Sequence, residues 1–169
     1  MFFSFVYELI RFNLFIKYNL DINFYAKNNN EILKKALDNK NYNFFYLLLQ
    51  RGFDINYKEE KGKDTIFQTL LNYYAFGGDV ETLKILISNG ADISIRDDFG
   101  HSALFYALRK DLGFDNIFGS ITGKIELKTA KVLLDSGARL DFHEATDLQD
   151  MAKMNNKEIS WDLKKLLGW

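Results

Sequence analysis

The chain has no cysteine, no proline and only two histidines among its 169 residues. Without cysteine there can be no disulfide framework, no thiolate metal site and no cysteine nucleophile, and this suits a reducing compartment. Without proline, no helix is started or kinked by that residue. The sequence therefore has few of the residues that typically form enzyme active sites, and it has no cysteines to form the disulfides of small secreted domains.

Charge of one sign is also lacking. Lys plus Arg number 22 and Asp plus Glu number 23, scattered along the chain, for a formal net charge of −1. Phosphate neutralisation needs a concentrated basic surface, and anionic membranes attract polybasic clusters. The composition therefore predicts a protein that binds neither nucleic acid nor membranes.

An apolar, aromatic-rich stretch lies at the amino terminus, in "MFFSFVYELIRFNLFIK". Glu8 and Arg11 interrupt it, and no small-residue cleavage site follows. The stretch is also too short to span a bilayer. We predict an aromatic-rich packing helix at about residues 3–18, and a cytoplasmic protein.

What the chain does have is internal repetition. Four segments align: "FIKYNLDIN" (15–23), "LLLQRGFDIN" (47–56), "ILISNGADIS" (85–94) and "VLLDSGARLD" (132–141). Each reads as an apolar helix end, two polar residues, a Gly or Asn, and an apolar tail. Such self-similarity at a regular spacing is typical of repeat architectures.

The aligned Gly or Asn positions give the period. Gly52 follows Asn19 by 33 residues, Gly90 follows Gly52 by 38, and Gly137 follows Gly90 by 47. A base period of 33 with insertions of 5 and 14 residues accounts for all three spacings. Because glycine adopts the left-handed conformation without a Cβ clash, we predict that a helix ends at each of these positions.

These motifs resemble the ankyrin repeat. The segment "NGADISIRDDFGHSALFYAL" (89–108) is similar to the family's Gly-Ala-Asp, Asp-x-x-Gly hairpin and Thr-Pro-Leu-His-x-Ala sequence. The last motif falls on Ser102, Ala103, Leu104, Phe105 and Ala107. Weaker copies are "NEILKKAL" (30–37), "KGKDTIF" (61–67) and "TDLQDMAK" (146–153). The family's Pro and His are missing, and with them the hydroxyl–imidazole tie between repeats; Thr65, Ser102 and Thr146 can still cap helices.

The resemblance implies an all-α ankyrin-repeat solenoid, in which helix-turn-helix units with hairpin loops stack in about four to five units including caps. We expect one domain over residues 1–169. Its predicted parts are a capping helix and partial repeat at 1–23, repeats at 24–56, 57–94 and 95–141, and a capping repeat at 142–169. The predicted helix pairs are 30–39 with 42–51, 65–76 with 79–89, 102–110 with 125–136, and 146–154 with 157–167.

Residues that carry catalytic or metal chemistry are sparse. No nucleophile elbow, phosphate loop or dinucleotide fingerprint is present. Neither His101 nor His143 has another ligand at metal-binding spacing except Glu144, which adjoins His143 and diverges from it. We expect His101 and the carboxylates of 58–61 and 96–98 to be exposed at hairpin tips. The sequence therefore predicts no catalytic residue, no metal and no cofactor.

What remains is surface. The resemblance implies a non-enzymatic protein–protein interaction module whose contacts come from the hairpin tips and the outward positions of each leading helix. The alternative is a solvated solenoid edge with incidental aromatic residues. The predicted contacts are Tyr25, Lys27, Tyr57, Lys58, Glu60, Lys61, Arg96, Asp98, Phe99, His101, Arg109 and Lys110. Asp38, Gln68 and Asn72 are further outward helix positions.

The two insertions offer a second candidate surface. We place them around "NYYAFGG" (72–78) and in "DLGFDNIFGSITGK" (111–124), both between paired helices and therefore on one edge of the stack, opposite the tips. The alternative is that the longer insertion folds inward and buries its apolar residues. The candidate contacts are Tyr73, Tyr74, Phe76, Phe114, Ile117 and Phe118.

Three functional hypotheses follow. The first is a small protein, monomeric alone, that masks or inhibits one protein partner; the resemblance includes compact bacterial ankyrin proteins that act as immunity proteins for toxins encoded beside them. The second is a host-directed ankyrin effector or scaffold. The third is an enzyme built on the longer insertion, with Asp111, Asp115 or Lys124 in its site.

Overall fold

The fold was analysed in a computed structural model that describes residues 10, 30–58, 69–114, 127–154 and 164–165. The chain divides into two compact units, residues 1–57 and residues 58–169. Within the described ranges the regular elements are seven helices and no strand. The predicted amino-terminal helix, apart from the helical residue Ile10, and most of the last predicted helix lie outside these ranges.

The first unit contains one described helix pair, α1 (Asn30–Asp38) and α2 (Tyr42–Gln50). The two helices contact each other across a three-residue connection. Asn41 begins α2, because its side chain accepts the Phe44 N–H at 3.2 Å. The buried residues recur at helical spacing, as expected for helices with one apolar face: Ile32, Leu33, Ala36, Leu37, Phe44, Phe45 and Leu48.

The second unit contains the other five helices. They are α3 (Leu70–Gly77), α4 (Val80–Ser88), α5 (Ala103–Asp111), α6 (Lys128–Asp135) and α7 (Phe142–Met154). The α3–α4 pair lies against the α5–α6 pair, since α3 contacts α5 and α4 contacts α6, while α7 contacts α5. This packing confirms the predicted all-α repeat fold. Among the described helices, none is long and apolar enough to cross a membrane.

Helix α5 is the centre of this unit. Six consecutive residues, Ala103–Leu108, are buried, so the helix is covered on every side by α3, α6 and α7. A helix that is apolar all round is stable in water only in such an interior position. The hairpin that leads into α5 is therefore joined to a helix that is fixed by packing on all sides.

The predicted helix ends are confirmed at the three glycines, whereas Asn19 lies outside the described residues. Gly52, Gly90 and Gly137 follow α2, α4 and α6 with φ of 87°, 90° and 97°. In all three, the glycine N–H and the next N–H bond back to carbonyls of the last helical turn, as in Phe53 N to Leu48 O at 3.2 Å. These are Schellman motifs, and the residue after each glycine is buried.

The helix starts follow the capping rules, but two of them differ from the prediction. Helix α3 begins at Leu70 rather than at 65, and its N-cap is Thr69, whose side chain accepts the Asn72 N–H at 3.1 Å. Ser102 is the N-cap of α5, as predicted, and its hydroxyl accepts the Phe105 N–H. The prediction for Thr146 is wrong, because α7 begins four residues earlier, at Phe142. There Asp141 accepts the Glu144 N–H at 2.9 Å, and the Thr146 hydroxyl only donates back to the Phe142 carbonyl. Thr65 lies outside the described residues.

The longer insertion is bracketed by a cap that bridges its two ends. Leu127 precedes α6 and offers no side-chain cap. Instead Asp111, the last residue of α5, accepts the N–H groups of Thr129 and Ala130 through Oδ2 at 3.0 and 2.8 Å. The end of α5 and the start of α6 are therefore held together.

The shorter insertion does not lie where the sequence suggested. Helix α3 runs through to Gly77, and α4 begins at Val80, so only Gly78 and Asp79 connect them. Gly78 is left-handed with φ 74°, and Asp79 caps α4 by accepting the Thr82 N–H at 3.0 Å. Residues 72–77 belong to the helix and Gly78 is its C-cap, so the segment adds no loop between the pair.

One buried carboxylate joins the hairpin before α5 to α7. Glu144 is 0% exposed. Its Oε1 accepts the Ser102 N–H at 2.6 Å, its Oε2 accepts the Asp141 N–H at 3.1 Å, and Oε2 also pairs with the Arg96 guanidinium. Asp141 and Glu144 thus form a capping box, and the same glutamate serves the N-cap residue of α5. This contact connects consecutive repeats without the family's missing histidine.

We predict that Glu144→Ala destabilises the protein by about 2–4 kcal/mol. The substitution leaves the buried Ser102 N–H without its acceptor and removes the α7 capping box, and each loss costs about 1–2 kcal/mol. Urea unfolding monitored by circular dichroism measures the change. Asp150→Ala is the matched control, because Asp150 is an exposed carboxylate on the same helix and pairs with Lys153 within the described residues. It should cost less than about 0.5 kcal/mol. Equal effects of the two variants would contradict the assignment.

A second prediction concerns pH. Burial raises the pKa of the Asp111 carboxyl above its usual range, against the opposing hydrogen bonds from Ala130 and Thr129. The folded protein therefore takes up this proton at a higher pH than the unfolded chain does, so acid should stabilise the fold at this residue.

The test compares wild type with Asp111→Asn, which keeps an acceptor oxygen but cannot ionise. Wild type should gain stability relative to Asp111→Asn as pH falls through the raised pKa, with the gain complete below the unfolded value of about 3.9. Urea midpoints of both proteins at pH 7 and pH 4.5 measure this difference. A relative loss of wild-type stability in acid would show that the cap favours the ionised carboxylate.

Candidate functional site

The hairpin before α5 is built around a buried aspartate. Asp97 is 5% exposed, and its Oδ1 accepts the N–H groups of Phe99 and His101 at 2.8 and 2.9 Å. The Tyr106 hydroxyl donates to its other oxygen. Arg96 and Ser102 bridge across the base of the turn. The expectation that this carboxylate is a solvated loop charge is wrong, because its oxygens bond to the turn itself.

Tyr106 fastens the hairpin to α5. Its ring is almost completely buried in the core. Burial raises the pKa of the Tyr106 hydroxyl well above its usual range, and the Asp97 carboxylate raises it further, while Arg109 opposes the shift. The hydroxyl consequently keeps its proton at physiological pH and remains a donor to Asp97. The turn therefore has little freedom to move relative to the helix below it.

Three aromatic rings form a column on this hairpin. The His101 ring lies flat on Phe105, with centroids 3.8 Å apart and planes at 3°, and the Phe99 ring lies near His101, with centroids 6.4 Å apart and planes at 24°. Phe105 is fully buried, the His101 side chain is 15% exposed, and Phe99 is 62% exposed. His101 was expected to be exposed, and this is corrected: the column covers its ring and presents Phe99 to solvent.

The structure brings both histidines to one carboxylate, which the sequence analysis missed. Asp147 Oδ2 lies 2.9 Å from His101 Nε2 and 3.1 Å from His143 Nδ1. His143 and Asp147 are four residues apart on α7 and so share a face, a spacing that was visible in the sequence. The 46-residue separation of His101 and Asp147 hid the third member.

An ion pair completes the exposed end of the hairpin. Lys58 Nζ lies 2.9 Å from Asp98 Oδ1, and both side chains are partly exposed. We use the name tip surface for Lys58, Asp98, Phe99, His101 and His143, which all belong to the second unit. Predicted contact Tyr57 is half-buried and belongs to the first unit.

Arg96 has a structural role that its sequence position did not reveal. Its guanidinium pairs with Glu144 and with Asp141 at 3.2 Å, and it donates to the Gly100 carbonyl at 2.9 Å. These partners hold the guanidinium along the base of the hairpin. Arg96 therefore supports the tip surface, and its charge is largely satisfied within the protein.

The two predicted contact sets meet at the carboxyl ends of α3 and α5. The Arg109 guanidinium lies over the Phe76 ring, 5.7 Å from its centroid. A Cβ built on Gly78 would lie 3.7 Å from the side chain of Lys110. Residues assigned to the leading helices and to the shorter insertion are thus neighbours on one patch.

The remaining insertion residues differ in exposure. Tyr73 is 38% exposed and packs edge-on against Tyr74, which is buried. Phe114 is 7% exposed and follows Gly113, whose φ of 65° ends α5 in another Schellman motif. Phe114 thus takes the inward alternative. Asp111, a candidate for the hypothetical enzyme site, is occupied as the cap of α6.

Other predicted positions divide into two groups. Asn72, expected to face outward, is 1% exposed within α3, whereas Asp38 is exposed and pairs with Lys34 at 2.7 Å. The other group lies outside the described residues: Tyr25, Lys27, Glu60, Lys61, Gln68, Asp115, Ile117, Phe118 and Lys124.

Comparison with known proteins agrees with this architecture. The family model described as ankyrin repeats (many copies) matches residues 71–111, from α3 to the end of α5. No curated protein sequence matches the chain. Ankyrin repeats are protein–protein interaction modules and are typically non-enzymatic. The matched segment, together with the repeated helix pairs and the hairpin, supports the resemblance of the chain to small ankyrin-repeat proteins.

Proposed function

We propose that this protein binds one protein partner through the tip surface, with Phe99 as the main anchor. The observation that carries the proposal is that Phe99 is 62% exposed on a turn that is held in place by hydrogen bonds within the protein. A large apolar ring in water is unfavourable in the free protein, and its burial against a partner contributes to binding.

The rigidity of the hairpin supports this assignment. Asp97 bonds to the Phe99 and His101 backbones, and the Phe99 ring lies beside that of His101, with centroids 6.4 Å apart. A contact that is already ordered loses little conformational entropy on binding. Phe99 therefore combines the two properties of an interface anchor, which are large apolar area and a fixed position.

The charges around Phe99 suit the rim of an interface. Lys58 and Asp98 neutralise each other at 2.9 Å and remain partly exposed. Such a pair contributes little affinity but can select partners whose charges are arranged to complement it. The proposed surface is an aromatic anchor with a mixed-charge rim, which fits a protein surface better than a polyanion.

The finer proposal is that binding masks or inhibits the partner, and that the partner is a toxin for which this chain is the immunity protein. Its support is the resemblance to compact bacterial ankyrin proteins and a rigid tip suited to tight binding. Masking a partner also requires no catalytic group in this chain, and the polar groups of the hairpin are engaged in structural hydrogen bonds and ion pairs.

We predict that Phe99→Ala weakens partner binding by about 2 kcal/mol, roughly thirtyfold, while leaving the thermal midpoint almost unchanged because the ring is exposed. The partner is first captured on tagged wild-type protein from the source cell and identified by mass spectrometry. Calorimetric titration of the purified partner then measures the affinities.

Tyr73→Ala is the matched control, because Tyr73 is an exposed aromatic residue on α3 rather than on the hairpin. It should change the affinity by less than twofold. If Tyr73→Ala weakens binding and Phe99→Ala does not, the partner uses the edge around α3, and the tip assignment is wrong.

The immunity hypothesis has its own test. We predict that the chain co-purifies in a stoichiometric complex with the product of the adjacent gene when the two are co-expressed, and that it suppresses the toxicity of that product. Failure to co-purify would refute the immunity role and leave the general binding proposal intact.

A further inference from the structure

Both histidines of the protein lie beside the same carboxylate, that of Asp147. His101 and His143 are the only histidines of the chain, 42 residues apart. In the structure His101 Nε2 and His143 Nδ1 both lie within hydrogen-bond distance of the same oxygen, Asp147 Oδ2. One nitrogen from each ring and this oxygen lie within 4.8 Å of one another.

We propose that His101, His143 and Asp147 form a binding site for a divalent transition-metal ion, with Zn²⁺ as the preferred occupant. The ligands would be His101 Nε2, His143 Nδ1 and Asp147 Oδ2. No step of this proposal depends on a protein partner, so it stands apart from the binding function above.

The distances from the carboxylate oxygen to the two nitrogens are close to those of tetrahedral coordination. Bonds of about 2.0–2.1 Å at tetrahedral angles place two ligand atoms about 3.4 Å apart. The carboxylate oxygen lies 2.9 and 3.1 Å from the two nitrogens. Opening these distances by a few tenths of an ångström admits the ion in place of the imidazole protons.

Two of the ligands are positioned by the fold. The His101 ring is held by its stack on the buried Phe105, and its backbone N–H by Asp97. Asp147 extends from the first turns of α7, which the Glu144 capping box orients towards the hairpin. Such fixed surroundings lower the entropy cost of assembling a site, as contacts beyond the ligands do in metalloproteins.

The third ligand and the exposure of the cluster provide access. The His143 side chain is 62% exposed and that of Asp147 is 34% exposed, so an ion can enter from solvent. His143 and Asp147, at i and i+4, can also chelate from one helix face. Three protein ligands leave a coordination position for water or for an atom of another molecule.

The donor set selects the class of ion. Two imidazoles with one carboxylate suit Zn²⁺ and its first-row neighbours, whereas Ca²⁺ and Mg²⁺ favour six or more oxygen ligands or retained water. With no cysteine in the chain, a soft thiolate site cannot compete for the ion. Co²⁺ is a useful spectroscopic substitute, because its visible absorption reports coordination geometry.

The experiment titrates ZnCl₂ into tag-free full-length protein by calorimetry, with wild type, His143→Ala and Asp147→Asn. We expect saturable 1:1 binding to wild type and at least a tenfold loss of affinity in each variant, as removal of one of three ligands requires. Co²⁺ should give visible absorption bands with wild type that disappear in His143→Ala. Circular dichroism checks folding, and the exposed His143 position makes His143→Ala a mild change.

Asp150→Asn is the matched control, because this exposed carboxylate on α7 pairs with Lys153 and lies outside the cluster. Its affinity for Zn²⁺ should stay within twofold of wild type. Absence of saturable binding to wild type, or equal affinities for wild type and His143→Ala, would overturn the proposal and leave the three residues as a hydrogen-bonded cluster.

Discussion

The structure of the second unit depends on where the Glu144 carboxylate lies. In an ordinary capping box the glutamate at the third position of a helix accepts the N–H of that helix's own N-cap residue. Helix α5 has Phe105 at that position, so the N–H of its N-cap, Ser102, would be buried without an acceptor. Glu144 accepts it from the next repeat, while also serving Asp141 in its own helix.

Because Glu144 accepts hydrogen bonds from both Ser102 and Asp141, it joins the hairpin to the start of α7. Because Glu144 is fully buried, its charge needs a nearby cation, and Arg96 supplies it from the first residue of the turn. The hairpin and the start of α7 are therefore bound to the same group. His101 and Asp147 lie close together because the segments that carry them are fixed at this contact.

Local features of the fold could be predicted from the sequence, and long-range polar contacts could not. Gly52, Gly90 and Gly137 end helices because a left-handed residue is a local requirement, readable from a short window. The Asp111 cap of α6 spans 18 residues to Thr129, and no local rule anticipates it. The sequence likewise revealed Phe99 as a turn residue but not the column beneath it, since His101 reaches Phe105 only when the hairpin folds back onto α5.

Two of the errors share a physical cause. Asp97 and His101 are polar residues expected at the surface, and the structure covers both. Asn72 is also covered, but its side-chain amide has no hydrogen-bond partner among the described residues. Side-chain polarity predicts exposure only when no internal partner is available, and the turn supplies such partners for Asp97 and His101. The charged and aromatic groups of this hairpin thus have two roles, one at its base and one at its tip. Those at its base hold consecutive repeats together, and because that base is rigid, Phe99 and the histidines at its tip are kept in position to meet a ligand.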